Sequence, residues 1–357
     1  MKHAHLFLTL VVLLSACGTQ PTARPTAPKP APSLTSFPTF ITTPVTSTLT
    51  AMPMSTNTPA PTGWCSPSDQ LTDDFLIIGY LPEYRQLNPA WGNCLTDLVY
   101  FSIQPMPDGN LDTSALSAET LQMLQAMHTT YGTRIHISIG GWKRSDNFAL
   151  MATKPIARKN FAEKLTSFCF ENNLDGVDFD WEFPENERET QAYAALLTEV
   201  KAAFMPYDLI VSVALAPSDQ IDLGPYTAVD RIHIMSYDRG SKHATPEQTQ
   251  QDITAFISAG ASQEKLILGI PFYGRAMTSP YKSYTYAEIV ARYQPKPIFD
   301  EIDNIYFNGI ETVQQKTCLA KTMGLGGVMI WELGQDSTDE TSLLRAIYKA
   351  TIMECRK

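Results

Sequence analysis

A short segment of the chain places four carboxylates among apolar residues. Segment 174–184 reads LDGVDFDWEFP and contains Asp175, Asp178, Asp180 and Glu182. Residues two apart in a strand share a face, so the last three carboxylates point one way and the apolar residues between them point the other. Asp178 and Glu182 are then roughly 13 Å apart along the strand. Buried charges are costly unless they are paired, so this row of carboxylates is predicted to have a chemical role.

Three carboxylates on one face cannot all be ionised at small cost. Like charges raise at least one pKa, and the titration then belongs to the group rather than to one residue. A carboxylic acid that keeps its proton near neutral pH is what general acid catalysis requires. The spacing therefore predicts that Glu182, at the carboxyl end of the strand, is the general acid, and that Asp180 and Asp178 tune it.

Metal binding is the main alternative for such a segment. An EF-hand calcium loop needs glycine at its sixth position, and counting from Asp178 gives Phe183. Magnesium in a barrel usually takes carboxylates from several strands, and no Cys/His spacing suggests zinc. A purely structural cluster would leave unpaired charges buried. We therefore predict no metal and no other cofactor.

The segments around this strand alternate between strand and helix patterns. Alternation of this kind indicates a parallel sheet, and eight strands in this length favour an α/β fold closed into a (β/α)8 barrel. A doubly wound open sheet is the alternative, although no glycine-rich nucleotide loop follows the first strand. Strands are predicted at 75–81, 98–103, 134–139, 176–183, 209–215, 231–237, 266–272 and 327–331, and helices at 118–129, 156–172, 187–204, 246–259, 311–323 and 340–353.

The first residues have the pattern of an export signal. Residues 1–17 read MKHAHLFLTLVVLLSAC, with a basic start, a short apolar run and small residues. The run is too short for a transmembrane helix. The end, LSAC, resembles a bacterial lipobox, in which Cys17 is acylated. We predict a secreted protein that a lipid on Cys17 anchors to the bacterial cell envelope; an ordinary signal peptide with an incidental cysteine is the alternative.

Composition divides the rest of the chain into a linker and one domain. Residues 18–63 are mostly Thr, Pro, Ser and Ala, which predicts a disordered tether. Residues 64–357 are long enough for one large α/β barrel or two smaller domains. We expect one barrel domain and a monomer. The net charge of −10 argues against nucleic acid and against electrostatic attraction to a membrane surface. Contact with the membrane is expected through the lipid anchor only.

Five cysteines remain if Cys17 is acylated, so at least one has no partner within the chain. Cys65 and Cys94 bracket the first predicted strand and can form a disulfide in an oxidising compartment. Cys169 lies among apolar residues and is interpreted as a buried thiol. The pairing of Cys318 and Cys355 stays open.

Several motifs together carry a family resemblance. The run DGVDFDWE resembles the DGxDxDxE signature of glycoside hydrolase family 18, the chitinases and their relatives. Segment 138–142, SIGGW, is similar to that family's SxGG motif on the third strand, and 235–238, MSYD, to its MxYD motif after the sixth. Segments 271–275 and 326–332 fit the ends of strands seven and eight. Several motifs in the right order are much more specific than any one.

The resemblance implies a mechanism. Glu182 would protonate the glycosidic oxygen and later activate water. The family is an exception among retaining glycosidases because the substrate's 2-acetamido oxygen, not an enzyme carboxylate, attacks the anomeric carbon. Asp180 would orient that group and stabilise its positive charge, while Asp178 and Ser138 support it from deeper in the barrel. Tyr237 would hydrogen-bond the acetamide oxygen.

The resemblance also implies a substrate, β-1,4-linked N-acetylglucosamine polymers such as chitin or its oligomers. N-glycan cores or peptidoglycan are alternative substrates, and a sugar-binding lectin is a non-enzymatic alternative.

The same resemblance bears on the shape of the site. Only about fifty residues separate Arg275 from Gly327, so the insertion between strands seven and eight is expected to be reduced. Expected sugar contacts are Trp331, Asp238, Arg275, Tyr80, Phe101, Gly141, Trp142 and Met235, with a place in the barrel core as the alternative for Phe101. Asp175 is a further supporting residue. His136 and His233 are interpreted as satisfied core histidines.

Overall fold

The computed structural model describes Cys65 and residues 75–217 and 222–355. The predicted signal segment 1–17 with Cys17, and the predicted tether 18–63, lie outside the described residues. The strands within the described ranges are β1 (Leu76–Pro82), β2 (Asp97–Pro105), β3 (Leu111–Asp112), β4 (Arg134–Gly140), β5 (Gly176–Asp180), β6 (Ile210–Leu215), β7 (Arg231–Ile234), β8 (Leu266–Pro271), β9 (Tyr273–Ala276), β10 (Ser283–Thr285), β11 (Glu301–Ile302), β12 (Ile305–Tyr306) and β13 (Gly327–Trp331).

Helices follow most of the long strands. Side-chain N-caps from Ser, Thr or Asn begin five of them, as expected for residues that satisfy free N–H groups of the first turn. Within 75–355, no helix is both long enough and apolar enough to cross a lipid bilayer. The helices are α1 (Ala118–Tyr131), α2 (Asp146–Ala152), α3 (Pro155–Glu171), α4 (Glu187–Phe204), α5 (Pro246–Ser258), α6 (Tyr286–Tyr293), α7 (Ile310–Thr322) and α8 (Leu343–Ile352).

Eight parallel strands form a closed barrel. Their order is β1-β13-β8-β7-β6-β5-β4-β2, and pairing between β1 and β2 closes the ring. This confirms the predicted (β/α)8 barrel and all eight predicted strand positions. Two predicted strands were too long at their carboxyl ends, because β5 ends at Asp180 and β7 at Ile234. The short helices α2 and α6 were not predicted.

The insertion after the seventh barrel strand is small. It contains a four-stranded sheet in the order β10-β9-β12-β11 together with α6. Hydrogen bonds join Ser283–Thr285 to Tyr273–Ala276 in antiparallel register. The expected reduced insertion is therefore a short extension of the barrel rim.

Apolar packing has two parts. The larger core lies between the barrel wall and the helices, and includes Phe148, Phe161 and Phe179. A smaller cluster, with Tyr80 and Met329, includes residues of β1, β2, β8 and β13. Disulfides join Cys65 to Cys94, a pairing that the sequence allowed, and Cys318 to Cys355, which the sequence left open. Cys169 is a buried free thiol, as predicted.

A buried ion cluster closes the amino-terminal end of the barrel. Asp97, at the start of β2, is fully buried and accepts hydrogen bonds from Arg134 at 2.9 Å, His136 at 2.8 Å and Arg231 at 2.8 Å. His136 is therefore a satisfied core histidine, as predicted. Burial alone would raise the pKa of Asp97, but the hydrogen bonds from His136 and Arg134 hold it well below its ordinary value. The ionised form of Asp97 therefore stabilises the folded chain.

Replacement of Asp97 by alanine is expected to destabilise the barrel by roughly 3–5 kcal/mol at pH 7, because it leaves buried cations without their partner. The pKa of Asp97 is lower in the folded chain than in the unfolded chain, so its contribution is present above the ordinary aspartate pKa. It is lost as the pH falls through the folded value. Thermal midpoints of variant and wild type, measured from pH 7 downward, should therefore converge. The exposed Glu171→Gln is the control, and a constant difference at all pH values would contradict the assignment.

Candidate active site

A cavity of about 520 Å³ opens at the carboxyl end of the barrel strands. Barrel enzymes place their chemistry at this end. Nine residues predicted from the sequence line it: Tyr80, Trp142, Asp180, Glu182, Met235, Tyr237, Asp238, Arg275 and Trp331. Phe183, Ala214, Ala216 and Met329 also line the cavity and were not predicted.

The row of carboxylates begins inside the barrel wall and ends just beyond it. Asp178 and Asp180 lie on β5, and Glu182 lies two residues past its end. Strand geometry stops there because the Glu182 N–H donates to the Ser145 hydroxyl at 3.1 Å instead of to a neighbouring strand. Trp181 points away from the cavity and stacks on Phe148, with ring centroids 5.0 Å apart. The predicted alternation of faces therefore holds although the strand is shorter.

Ser145 is a residue that the sequence interpretation missed. Its hydroxyl lies 3.2 Å from the carbonyl oxygens of Gly141 and Asp180, as well as accepting from Glu182. It thereby joins the loop after β4 to the loop that carries Glu182. The one available signal was its position at the start of the helix that follows the SIGGW motif.

The two buried aspartates have different surroundings. Asp178 is fully buried and accepts hydrogen bonds from Tyr80 and Ser212, each at 2.7 Å. Asp180 is 4% exposed, and its buried Oδ1 has no partner among the described residues. Burial, followed by the charges of Glu182 and Asp178, raises the pKa of Asp180 well above its ordinary value. The neutral form of Asp180 is therefore favoured more than that of an exposed aspartate.

Glu182 has the properties that a general acid needs. It is partly buried at the cavity wall. Burial and then the negative charge of Asp238 raise its pKa. Tyr237 lines the same cavity, and burial raises the pKa of its hydroxyl well above the ordinary value, so it keeps a proton to donate. Two proton donors therefore face one cavity.

Asp238 is fixed by two neighbours from β9. It accepts hydrogen bonds from Tyr273 at 2.5 Å and from Arg275 at 2.9 Å. Its backbone has φ 65°, which is uncommon for a residue other than glycine. Arg275 and Asp238 were predicted as sugar contacts, and both line the cavity. Tyr273 was not predicted.

Trp331 lines the cavity and is supported from behind. Its ring packs edge-to-face on Phe101, with centroids 4.9 Å apart, and lies 5.8 Å from the Tyr80 ring. Phe101 was predicted as a sugar contact, but it is 7% exposed and does not line the cavity. It instead supports Trp331.

Gly141 also has a structural role where a sugar contact was predicted. Its N–H donates to the Asp180 carbonyl at 2.7 Å and is not free for a ligand. A Cβ atom at this position would lie 2.1 Å from the Phe101 ring, and φ is 99°. Only glycine permits both the backbone conformation and the approach of Phe101.

Two predicted supporting residues differ from expectation. Asp175 precedes β5 and so lies at the end of the barrel opposite to the cavity, where it accepts from the Ile135 N–H at 2.7 Å. It was wrongly placed in the site, because a carboxylate next to the row was taken as part of it. Ser138 is fully buried and lies opposite Asp178 in register, but its hydroxyl has no partner among the described residues. Ser212 holds Asp178 instead.

Glu332, at the end of the last motif, is fully buried. It accepts from Arg85 Nε at 2.8 Å and from the Gly334 N–H at 2.8 Å, which fastens the end of β13 to the loop after β1. Burial raises its pKa, while Arg85 opposes that shift. Within the part of the chain that the structure describes, no group of three His, Cys, Asp or Glu side chains could hold a metal ion.

Comparison with known proteins agrees with the motifs. The family model described as Glycosyl hydrolases family 18 matches residues 77–336. Probable chitinase 10 of Drosophila melanogaster is 26% identical over 57% of this chain, and Chitinase 1 of Aphanocladium album is 26% identical over 59%. The chain spans less than two thirds of these relatives, 12% of the first and 64% of the second.

Solved structures show the same architecture. The GH18 chitinase ChiB of Flavobacterium johnsoniae is 28% identical, with a TM-score of 0.68, over 78% of this chain and 94% of that one. A chitinase from Bacteroides thetaiotaomicron has a TM-score of 0.69 at 21% identity, over 78% and 96% of the two chains, and supports the fold alone.

Proposed function

Because the chain belongs to glycosyl hydrolase family 18, we propose that it hydrolyses β-1,4-linked N-acetylglucosamine polymers, chitin or its oligomers, with net retention. The observation that carries this proposal is Glu182, a carboxyl with a raised pKa at the wall of a cavity lined by Trp331. An aromatic ring beside an acid suits a sugar, whose apolar face packs on the ring while its glycosidic oxygen takes the proton.

The proposed reaction has two steps. Glu182 gives its proton to the glycosidic oxygen while the substrate's acetamido oxygen bonds to the anomeric carbon, so the C–O bond breaks and a cyclic oxazolinium ion forms. Glu182, now ionised, then takes a proton from a water molecule whose oxygen bonds to the anomeric carbon. The bond between that carbon and the acetamido oxygen breaks, which regenerates the acetamido group and the acid. Asp180 faces the cation, and Tyr237 donates to the acetamido group. A positive intermediate beside Asp180 favours its ionised form, because an opposite charge lowers a carboxyl pKa.

Product analysis tests this proposal. Chitin hexamers, a glycopeptide with an N-glycan core and peptidoglycan would be incubated with the enzyme in parallel. Cleavage of the hexamers with the β-anomer formed first is the expected result. Cleavage of the glycopeptide or of peptidoglycan alone would show that this polymer, and not chitin, is the substrate. Binding of hexamers without cleavage would indicate a lectin.

We also propose that a lipid on Cys17 anchors the enzyme to the cell envelope. The support is the sequence LSAC after a short apolar run, followed by the Thr/Pro/Ser-rich segment 18–63. Cys17→Ser is expected to release the protein from membranes, because the variant has no cysteine at this position to carry the lipid. Activity on soluble oligomers should stay unchanged. Continued detergent-sensitive fractionation of the variant with membranes would place the anchor elsewhere.

A further inference from the structure

Asp252 is a buried carboxylate on a helix face where packing alone would favour an apolar residue. It lies on α5, where Ile253 and Phe256 are also buried, and is 2% exposed. It does not line the cavity. Buried carboxylates are costly without partners, so the contacts of Asp252 indicate what it does.

Both partners of Asp252 belong to the segment that follows β7. Its Oδ2 accepts a hydrogen bond from the Ser236 hydroxyl at 2.7 Å. Its Oδ1 accepts one from the Arg239 guanidinium, with which it forms an ion pair. Thr249 Oγ1 lies 3.4 Å from the Ser236 hydroxyl oxygen, so Asp252 is the nearer partner. One carboxylate therefore holds the segment at two points that are three residues apart.

The two held residues flank Tyr237 and Asp238. Tyr237 and Asp238 line the cavity, whereas the side chains of Ser236 and Arg239 reach away from it to α5. Between the two held points, the Asp238 backbone has φ 65°, and a non-glycine residue keeps such a conformation when surrounding contacts hold it. Asp252 therefore supports this part of the cavity wall from the side away from the cavity.

The Arg239 end of the segment has a second support. Gln248 lies four residues before Asp252 on α5, and so on the same helix face. Its Nε2 donates to the Arg239 carbonyl oxygen at 3.2 Å, and its Oε1 accepts from the Thr245 N–H at 2.9 Å. The Ser236 end therefore depends more on Asp252 than the Arg239 end does.

Within the segment, Tyr237 depends on this support more than Asp238 does. The Asp238 carboxylate has its own anchors in Tyr273 and Arg275. The Tyr237 ring is positioned by packing: it lies edge-to-face against Tyr273 with centroids 6.4 Å apart, and a Cβ atom at Gly269 would be 2.9 Å from its Cε1. Apolar packing is not directional in the way that hydrogen bonds are, so the backbone sets where the Tyr237 hydroxyl points.

We propose that Asp252 is a positioning residue: by holding Ser236 and Arg239, it keeps the Tyr237 hydroxyl where the acetamido group of the substrate binds. This inference rests on the proposed function, because it assigns Asp252 a role in preparing that site. It also makes a claim about the resting protein, since the Tyr237 ring should move when Asp252 is replaced.

Removal of both contacts at once is the first test. Asp252→Ala should lower kcat on chitin oligomers by about three- to tenfold, the effect of one misplaced hydrogen bond, and by no more than Tyr237→Phe does. Inhibition by a thiazoline mimic of the cyclic intermediate should weaken by a similar factor. An inhibition constant does not depend on the fraction of folded protein, so a merely structural role would leave it unchanged. The exposed neighbour Gln251→Ala is the control and should match the wild type in both measurements.

Coupling to Tyr237 is the second test. In a Tyr237→Phe background, Asp252→Ala should lower kcat by no more than about a further twofold, because its effect passes through the missing hydroxyl. A structural role would cause the full loss in both backgrounds. Ser236→Ala and Arg239→Met each remove one contact and should cause smaller losses, the larger in Ser236→Ala, and these losses should also vanish with Tyr237→Phe. They serve if Asp252→Ala does not fold.

Two kinetic outcomes would overturn the proposal. One is wild-type kcat and wild-type thiazoline inhibition in Asp252→Ala, or in Ser236→Ala where the former does not fold. The other is a loss in kcat that is as large in the Tyr237→Phe background as in the wild type.

The position of Tyr237 can also be measured without substrate. Crystal structures of the ligand-free wild type and of Asp252→Ala, or Ser236→Ala in its place, should differ in the position of the Tyr237 ring relative to Gly269. An unmoved ring would overturn the proposal whatever the enzyme hydrolyses. A displaced ring in the variant, together with no hydrolysis of chitin oligomers by the wild type, would overturn the proposed function and leave the positioning role intact.

Discussion

Replacement of Glu182 by glutamine is expected to abolish hydrolysis of chitin oligomers while leaving their binding intact. The amide has nearly the shape of the acid but no proton to transfer. The expected loss in kcat is at least the roughly 10²–10⁴-fold typical of general acid–base catalysis. Binding, measured by calorimetry with a hexamer, should change little because the cavity and Trp331 are unchanged.

The matched control is Glu185→Gln in the same loop. Glu185 is exposed and does not line the cavity, so this variant should keep wild-type activity. The pH profile offers a second check, because burial and Asp238 raise the pKa of Glu182. The protonated acid should therefore persist to higher pH than an ordinary glutamate would allow. Near-normal turnover by a folded Glu182→Gln protein would show that Glu182 is not the general acid.

The sequence predicts best those parts of the fold in which apolar and polar residues alternate with the regular spacing of a strand or a helix. Alternation of apolar residues with Asp178 and Asp180 places the carboxylates on one face of β5 whatever the rest of the chain does. The order of strands and helices then makes a closed barrel the natural arrangement. Glu182 follows because it continues the same alternation for two residues past the end of the strand.

Contacts between distant segments are not visible in such patterns. Ser145 and Ser212 hold the carboxylates, but each is an ordinary serine until the barrel brings neighbouring strands and loops together. Phe101 was misplaced for a related reason: a ring at a strand end can face the cavity or support the ring that does. Register decides which, and register depends on the bulge in the β2–β4 pairing between Tyr100 and Ile103.

A different nucleophile would produce the same stereochemistry, so the substrate-assisted reaction needs its own test. Asp180 lies about 6.6 Å deeper along the chain than Glu182, which alone does not distinguish a nucleophile from a stabilising group. The surroundings of Asp180 favour the role of a stabilising group over that of a nucleophile. Burial, followed by the charges of Glu182 and Asp178, raises the pKa of Asp180 and so disfavours its ionised form, and a protonated carboxyl is a poor nucleophile. The acetamido oxygen of the substrate is then the better candidate.

Sugars that lack the acetyl group at the cleavage site are therefore expected to be very poor substrates, since they lack the attacking oxygen. A thiazoline mimic of the cyclic intermediate should inhibit strongly, as compounds that resemble a high-energy state do. Asp180→Asn should weaken that inhibition because the amide cannot become negative opposite the cation. Mass spectrometry of enzyme incubated with a fluorinated glycosyl donor gives the decisive measurement, with unmodified protein as the expected result. A stable sugar adduct on Asp180 would show that the enzyme, not the substrate, supplies the nucleophile.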